Sequence, residues 1–304
     1  MKVIKSSGLN PAQNIYFDWH LTNWCNFKCS YCPVLDVITN DFTKDDHAQE
    51  YKLVLARLSK VQTSFNVCIT GGEPTLNPEL IDILKGLVAF PNCQDVSIFT
   101  NLSRPLPFYD KIKSIDSKKI MLFASFHPEF SDVKFVQRCI SLSRMTDLRF
   151  AVHLTMSDKE EHWGKTLSLL DTLIKHNVNH KPLLLSPTNN YTPNYTDKFF
   201  DTFKRYLDRV EDEHFFLTIP IEYVDGTTEN MKSYDVEIQG LNKFKGYQCT
   251  PISYNISIDG IITNTCTNRK VPLILSDANL LVKETCPKDI CPGRRLLESY
   301  KEIK

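Results

Sequence analysis

The 304-residue chain predicts an α/β fold: a six-unit partial (β/α) barrel with a small C-terminal hairpin-containing, cysteine-rich extension. Three observations lead there. Between residues 15 and 210, short β-rich runs alternate six times with amphipathic helical runs, the pattern of a parallel sheet with helical crossovers. Six units fit an open barrel better than the eight that close one. Beyond residue 245, four cysteines frame a hairpin signal. The expected division is a barrel core over 1–214, a connector over 215–245 and the extension over 246–304.

The first strand, 15–21, alternates apolar and polar residues. A helix over 44–61 carries Ala48, Tyr51, Leu55 and Leu58 on one stripe, with Thr43 and Asp46 in capping-box spacing. Strand 64–70 runs into Gly71-Gly72-Glu73-Pro74. The next helix is expected to open at Asn77-Pro78, a cap followed by proline, and to bury Leu80, Ile83, Leu84 and Leu87. Then come strand 95–100, a weak helix over 108–116, strand 119–126, and a helix over 131–145 with Val133, Val136 and Ile140 in phase. Strand 148–155, helix 161–176, strand 181–186 and helix 196–212, with Phe199, Phe203, Tyr206 and Val210 aligned, complete the series. Residues 215–226 read as a strand-like run leading into a polar connector. Further on, 254–258 and 261–263 flank Asp259-Gly260, a two-residue hairpin signal. Functional groups of such a barrel belong at the C-terminal strand ends.

Composition narrows the partners. Lys plus Arg equals Asp plus Glu at 36 each, without a basic run, so nothing favours nucleic acid or an anionic membrane. Residues 1–11 lack the apolar core of a signal peptide, and no apolar run approaches the roughly eighteen residues of a membrane span. A soluble, cytoplasmic protein is expected. Ten cysteines in such a setting point to metal or redox chemistry rather than disulfides.

The chemistry starts at Cys25, Cys29 and Cys32. At this spacing, on a loop after the first strand, three thiols can converge on one polynuclear iron centre and leave one iron of a four-iron four-sulfur cluster open to a ligand. The alternative is a zinc knuckle, but zinc sites pair cysteines as Cys-x2-Cys and need a fourth ligand; neither Asp36 nor His20 has a familiar spacing for it.

The Cys-x3-Cys-x2-Cys loop, with Tyr31 before its last cysteine and Gly71-Gly72-Glu73-Pro74 downstream, resembles the radical S-adenosylmethionine (SAM) superfamily. The resemblance implies a six-unit partial barrel, a SAM-binding 4Fe-4S cluster on Cys25, Cys29 and Cys32, reductive cleavage of SAM to a 5'-deoxyadenosyl radical, and hydrogen abstraction from a substrate. It also implies a flavodoxin- or ferredoxin-like electron donor. By the same resemblance Gly71, Gly72, Glu73 and Pro74 meet the SAM amino group, Tyr31 meets the adenine, and Ser125 meets the ribose. Asn101 and Thr155, at the ends of the third and fifth strands, are further ribose candidates. Arg138 is a candidate for the SAM carboxylate, with Arg144 its rival. His127 stands where relatives often carry an acidic residue. In the connector, Glu222, Tyr223 and Asp225 join His127 as candidate proton-handling groups, and a solvated loop explains those three equally well.

Cys249, Cys266, Cys286 and Cys291 are separated by 16, 19 and 4 residues. A hairpin between cysteines with a cysteine-rich tail resembles the SPASM and twitch extensions of radical SAM enzymes. Four thiols suffice for one auxiliary 4Fe-4S cluster, and zinc is the alternative. Cys68 and Cys139 are expected in the core and Cys93 in a turn. Because the first strand starts close to the beginning of the chain, the expected substrate is a small sugar- or amino-acid-like molecule. The alternatives are a peptide-modifying maturase working with a separate recognition protein and, in a different class, a non-catalytic iron-sulfur electron carrier.

Overall fold

The computed structural model describes residues 3–6, 14–39, 50–115, 118–185, 187–188, 190–207, 218–232, 236, 239–291 and 300–302. Its strands are β1 (Val3–Ser6), β2 (Ile15–Thr22), β3 (Phe65–Gly71), β4 (Cys93–Thr100), β5 (Ile120–Phe126), β6 (Arg149–Met156), β7 (His180–Leu184), β8 (Thr218–Tyr223), β9 (Thr228–Lys232), β10 (Gln248–Thr250), β11 (Ser253–Ile256), β12 (Ile262–Asn264), β13 (Glu284–Thr285) and β14 (Tyr300–Glu302). The helices are α1 (Glu50–Leu58), α2 (Leu80–Val88), α3 (Leu106–Lys113), α4 (Val133–Ser143), α5 (Trp163–Lys175), α6 (Asp197–Leu207) and α7 (Asp277–Leu280).

Strands β2 to β7 pair in parallel in sequence order, each followed by a helix on the outer face, which is the partial barrel. Alternation explains its two faces. In β2, Ile15, Phe17, Trp19 and Leu21 are buried against the helices, while Tyr16, Asp18 and His20 stay half-exposed on the inner face. Each large apolar side chain buried this way contributes about 1.5–3 kcal/mol. The inner-face residues nearest the C-terminal ends are Thr70, Phe99, Ser125, Thr155 and Leu183, and they line one cavity.

The helices form where periodicity placed them, with local corrections. Leu80, Ile83, Leu84 and Leu87 are the buried stripe of α2, but Asn77 ends the preceding 3-10 turn and its side chain accepts from Glu79 N–H, so the α-helix opens two residues later than expected. In α4 the stripe is rotated. Phe135, Cys139 and Leu142 face inward and Val133 is 67% exposed, because the Asp132 side chain caps the helix by accepting from the Lys134 and Phe135 N–H groups. Phe199, Phe203 and Tyr206 are buried on α6. Cys93 opens β4 and is fully buried rather than lying in a turn. Thr43, Asp46, Ala48, Ser186 and Val210 lie outside the described residues.

Two sheet assignments were not visible in the sequence. The C-terminal hairpin adds to the barrel sheet, β11 pairing in parallel with β2 and in antiparallel with β12. Its turn is longer than the expected two residues. Ser257 N–H donates to Ile261 C=O (3.0 Å), Gly260 N–H donates to Ser257 C=O (2.9 Å), and Gly260 sits at φ +73°, giving a three-residue loop whose last residue is left-handed. A second, antiparallel sheet runs β13-β10-β14-β1-β8-β9, so β1 pairs with β14 and β8 instead of entering the barrel. Arg57 of α1 clasps the hairpin region to the barrel, donating to the carbonyls of Gly260, Val271, Pro272 and Leu273.

Candidate active site

The cavity, of about 350 Å³, is bounded by the cysteine loop on one side and the ends of β3 to β7 on the other. Cys25, Cys29 and Cys32 line it together with Phe27, Tyr31, Gly71, Gly72, Glu73, Asn101, Ser125, His127 and Thr155. These residues span more than a hundred positions of sequence. Parallel strands bring them together because every strand ends at the same rim.

The three thiols sit on a turn in which Cys32 N–H donates to Cys29 C=O (3.0 Å) and Phe27 N–H donates to Cys25 Sγ (3.4 Å). Burial pushes the Cys25 thiol up to about 11 and raises Cys29 and Cys32 as well. Each stays protonated at neutral pH until a metal displaces the proton. Among the described residues, no three His, Cys, Asp or Glu side chains close tightly enough for a single metal ion. The three thiols line the same cavity, and ionising one would raise the others further. Three thiols lining one cavity are the donor set that a four-iron cluster takes when one of its irons is left for another ligand.

Gly71 and Gly72 have a reason beyond ligand approach. A Cβ on Gly72 would lie 2.2 Å from the Trp24 carbonyl oxygen, and one on Gly71, at φ +123°, would lie 2.5 Å from the Thr22 carbonyl oxygen. Gly72 N–H donates to Thr22 C=O (2.6 Å) and Glu73 N–H to Trp24 C=O (2.7 Å). The glycines let the backbone leading into the cysteine loop pass directly over the end of β3.

Glu73 is 1% exposed. Its carboxylate accepts from Thr75 N–H (3.0 Å), Thr75 Oγ1 (2.5 Å), Thr100 Oγ1 (2.7 Å) and Asn101 N–H (2.5 Å). Burial pushes this carboxyl upward, and the four donors pull the other way. The carboxylate therefore ties the end of β3 to the end of β4 and caps the 3-10 turn Pro74–Leu76, with Pro74 at its first turn. Glu73 is thus part of the turn's own bonding as well as a cavity-lining residue. Asn101 carries the link onward, its Nδ2 donating to Asn26 Oδ1 of the cysteine loop (2.8 Å). Thr100 also accepts from Leu102 N–H (3.0 Å), and Arg138 Nη1 donates to Leu102 C=O (3.0 Å) at a left-handed φ of +59°. Arg138 thus braces the rim and is not among the cavity-lining side chains.

Tyr31 and His127 form the aromatic wall. Their rings stack at 6.0 Å, Tyr31 OH lies 3.3 Å from His127 Nδ1, and Phe27 meets His127 edge-on at 6.1 Å. Burial pulls His127 down to about 4, so its ring is neutral at pH 7. Glu222 and Asp225 are elsewhere. Both belong to the β8–β9 hairpin of the second sheet, where Glu222 registers with Thr228 and exposed Asp225 accepts from Thr227 N–H (3.0 Å) and Oγ1 (2.6 Å). Tyr223 OH donates to Glu229 there (3.2 Å).

Sequence reasoning missed Thr70, Thr100 and Glu129, whose partners are many residues distant. A threonine at each of two adjacent strand ends was the available signal for the first two.

The other four candidate ligands gather beside the second sheet: Cys249 lies on β10, Cys286 and Cys291 follow β13, and Cys266, which follows β12 of the barrel sheet, packs against them. Cys249 of β10 registers directly with Lys301 of β14, and Lys301 is itself buried, its ammonium 5.2 Å from the Phe244 ring. Cys286 N–H donates to Tyr247 C=O (2.8 Å), Cys291 N–H to Asn242 C=O (2.8 Å), and Cys266 N–H to Asn264 Oδ1 (2.8 Å). Burial pushes Cys249 up to about 11 and Cys291 up to about 12, and raises Cys266. Cys249, Cys286 and Cys291 are buried and Cys266 is half-buried.

Residues 19–127 match the Radical SAM superfamily. Among curated relatives, a GTP 3',8-cyclase of Nostoc punctiforme is 34% identical over 88 residues, 28% of this chain and 27% of that protein. A probable GTP 3',8-cyclase of Saccharolobus islandicus is 30% identical over 115 residues, 37% of this chain and 36% of that protein. Those matches therefore span about a quarter to a third of the relatives' length. In fold, the chain is similar to Streptococcus suis SuiB bound to S-adenosylmethionine, with a TM-score of 0.52, 14% identity, and coverage of 90% of this chain and 63% of that one. It is also similar to anSMEcpe with bound AdoMet, with a TM-score of 0.53, 13% identity, and coverage of 89% and 81%.

Proposed function

We propose, from the premise that this chain is a radical SAM protein by its domain at residues 19–127, that it is an enzyme that binds a four-iron four-sulfur cluster and SAM in the cavity and removes a hydrogen atom from a substrate. When bound, the cluster and SAM together supply reductive cleavage of the sulfonium to a 5'-deoxyadenosyl radical. The observation that carries this reading is that the three cysteines open onto the same cavity as the Gly71-Gly72-Glu73 turn.

The chain's own residues divide the work. Cys25, Cys29 and Cys32 are the cluster ligands, and three thiols leave one position for SAM. The backbone of Gly71, Gly72 and Glu73 and the side chains of Asn101, Ser125 and Thr155 face the space available to SAM. Tyr31, held by neutral His127, supplies a flat apolar wall for the adenine. Glu73 keeps the rim rigid, with three donors on Oε1 and one on Oε2.

Cys249, Cys266, Cys286 and Cys291, which pack in one cluster, are the ligands of an auxiliary 4Fe-4S cluster in this reading, favoured over zinc because their spacings lack the Cys-x2-Cys pairs of zinc sites. A fully ligated cluster can accept or deliver an electron, which suits an oxidoreductase outcome. The substrate in the first reading is a small sugar- or amino-acid-like molecule. The second reading is a peptide. It is favoured by the fold likeness to anSMEcpe, solved with AdoMet and a Cp18Cys peptide, which covers 84% of this chain at a TM-score of 0.50 and 15% identity.

The test is anaerobic reconstitution followed by counting iron and sulfide per chain and assaying 5'-deoxyadenosine under a strong reductant. About eight irons with 5'-deoxyadenosine formed is the expected outcome. About four irons with tightly held zinc would make the extension structural. Full clusters without 5'-deoxyadenosine would return the electron-carrier alternative.

A further inference from the structure

Between Cys29 and Cys32, the loop carries Ser30, and Ser30 is held by two residues from other strand ends. Glu129, from the loop after β5, accepts from Ser30 N–H (2.8 Å) and from Ser30 Oγ (2.5 Å). Lys159, from the loop after β6, donates to Ser30 Oγ (3.1 Å) and to Glu129 Oε1 (3.4 Å). The three groups form a closed ring: lysine to serine, serine to carboxylate, lysine to carboxylate. The Glu129 side chain is only 14% exposed and that of Lys159 39%, so their charges are incompletely screened by water. The Glu129 charge also acts directly on the Cys29 thiol.

We propose that Glu129 and Lys159 are positioning residues for the cysteine loop, fixing Ser30 so that Cys29 and Cys32 face the cavity, and that their opposite charges set the reduction potential of the cluster those cysteines hold. The second half of this inference rests on the cluster reading above. A carboxylate beside a ligand sulfur disfavours adding an electron, and an ammonium favours it. Without Glu129 the Ser30 N–H loses its acceptor, and Ser30 keeps only the Lys159 contact among these charged partners.

Two measurements test it. In the metal-free chain, alkylation by iodoacetamide, mapped residue by residue, reads loop order without any cluster. Glu129→Ala should speed modification of Cys29 and Cys32 roughly tenfold and leave Cys68 and Cys139 unchanged; equal rates in both proteins overturn the positioning role. In the reconstituted chain, Glu129→Gln keeps an oxygen for Ser30 but removes the charge, and Lys159→Met removes the ammonium. Glu129→Gln should raise, and Lys159→Met should lower, the reduced-to-oxidised ratio at fixed potential by roughly three- to tenfold, tenfold being about 59 mV for one electron. Iron content should stay at the wild-type count in both. A purely structural clamp would instead cost iron in both variants with no split in sign, and that result overturns the electrostatic claim. Wild type that takes up no cluster overturns the functional reading, and the potential claim with it, while the alkylation result still decides the clamp.

Discussion

Two groups of cysteines, one on the loop at the barrel rim and one packed beside the second sheet, differ in what surrounds them. The three at the barrel rim open onto a cavity of about 350 Å³ and are backed by two glycines, a buried carboxylate with four donors and an aromatic wall. The four beside the antiparallel sheet include three buried thiols, with a buried lysine in register beside one of them. Three thiols with adjoining space make a site for a ligand. Four thiols with a compensating cation make a site that is complete within the protein. The chemistry of each is set less by its cysteines than by whether the fold leaves room next to them.

The largest expected effect tests that contrast directly. Cys29→Ala should abolish SAM cleavage and remove about four irons, whereas Cys286→Ala should lower the iron count while leaving measurable uncoupled cleavage. Equal loss of cleavage in both would merge the two sites into one functional unit. Glycines separate them next. Gly72→Ala drives a Cβ onto the Trp24 carbonyl and should cost roughly 3 kcal/mol or more, with SAM binding lost, whereas Gly246→Ala, at φ +85° beside the four-cysteine site with open space around it, should cost about 1 kcal/mol. Urea titrations of both variants check this.

Glu73→Ala leaves the Thr75, Thr100 and Asn101 donors without their acceptor and should cost roughly 2–4 kcal/mol. If SAM affinity fell with stability unchanged, Glu73 would be a direct ligand rather than the brace described above. The smallest effect concerns acid. Burial holds both His127 and His153 at about 4, below the roughly 6.5 of an unfolded histidine. Between those values the unfolded chain binds more protons, so stability is full above about pH 6.5 and falls as pH drops toward 4, by roughly 2 kcal/mol per ring at pH 5. Both rings belong to the barrel, and His153→Phe should remove about half of this loss in urea midpoints compared at pH 7 and pH 5.

Much of the barrel was legible because its signals are local. Six strand-helix alternations, the cysteine spacing and the Gly71-Gly72 pair each lie within a short window, and the structure assembles them at one rim. What was not legible depends on pairing between distant segments. Nothing near Val3 indicates that β1 belongs beside β14, and nothing near Tyr254 indicates that β11 extends the sheet next to β2. Asp259-Gly260 suggested a two-residue turn, but the same dipeptide serves equally as the end of a three-residue loop, and Asp225-Gly226 is used in the same way. That second turn also explains Asp225, whose carboxylate is occupied by Thr227. The misphased stripe of α4 came from counting Val133 as core, when the Asp132 cap fixes the helix start so that Phe135 points inward. The Ser30–Glu129–Lys159 ring joins positions about a hundred residues apart, and no periodicity announces it.

The most direct test of the central claim uses the Cys286→Ala chain, in which only the rim site should hold an intact cluster. After reduction, its electron paramagnetic resonance spectrum is recorded with and without SAM. The account predicts a four-iron signal that changes shape when SAM is added, since the cofactor binds the iron the three cysteines leave open. A signal indifferent to saturating SAM would contradict it.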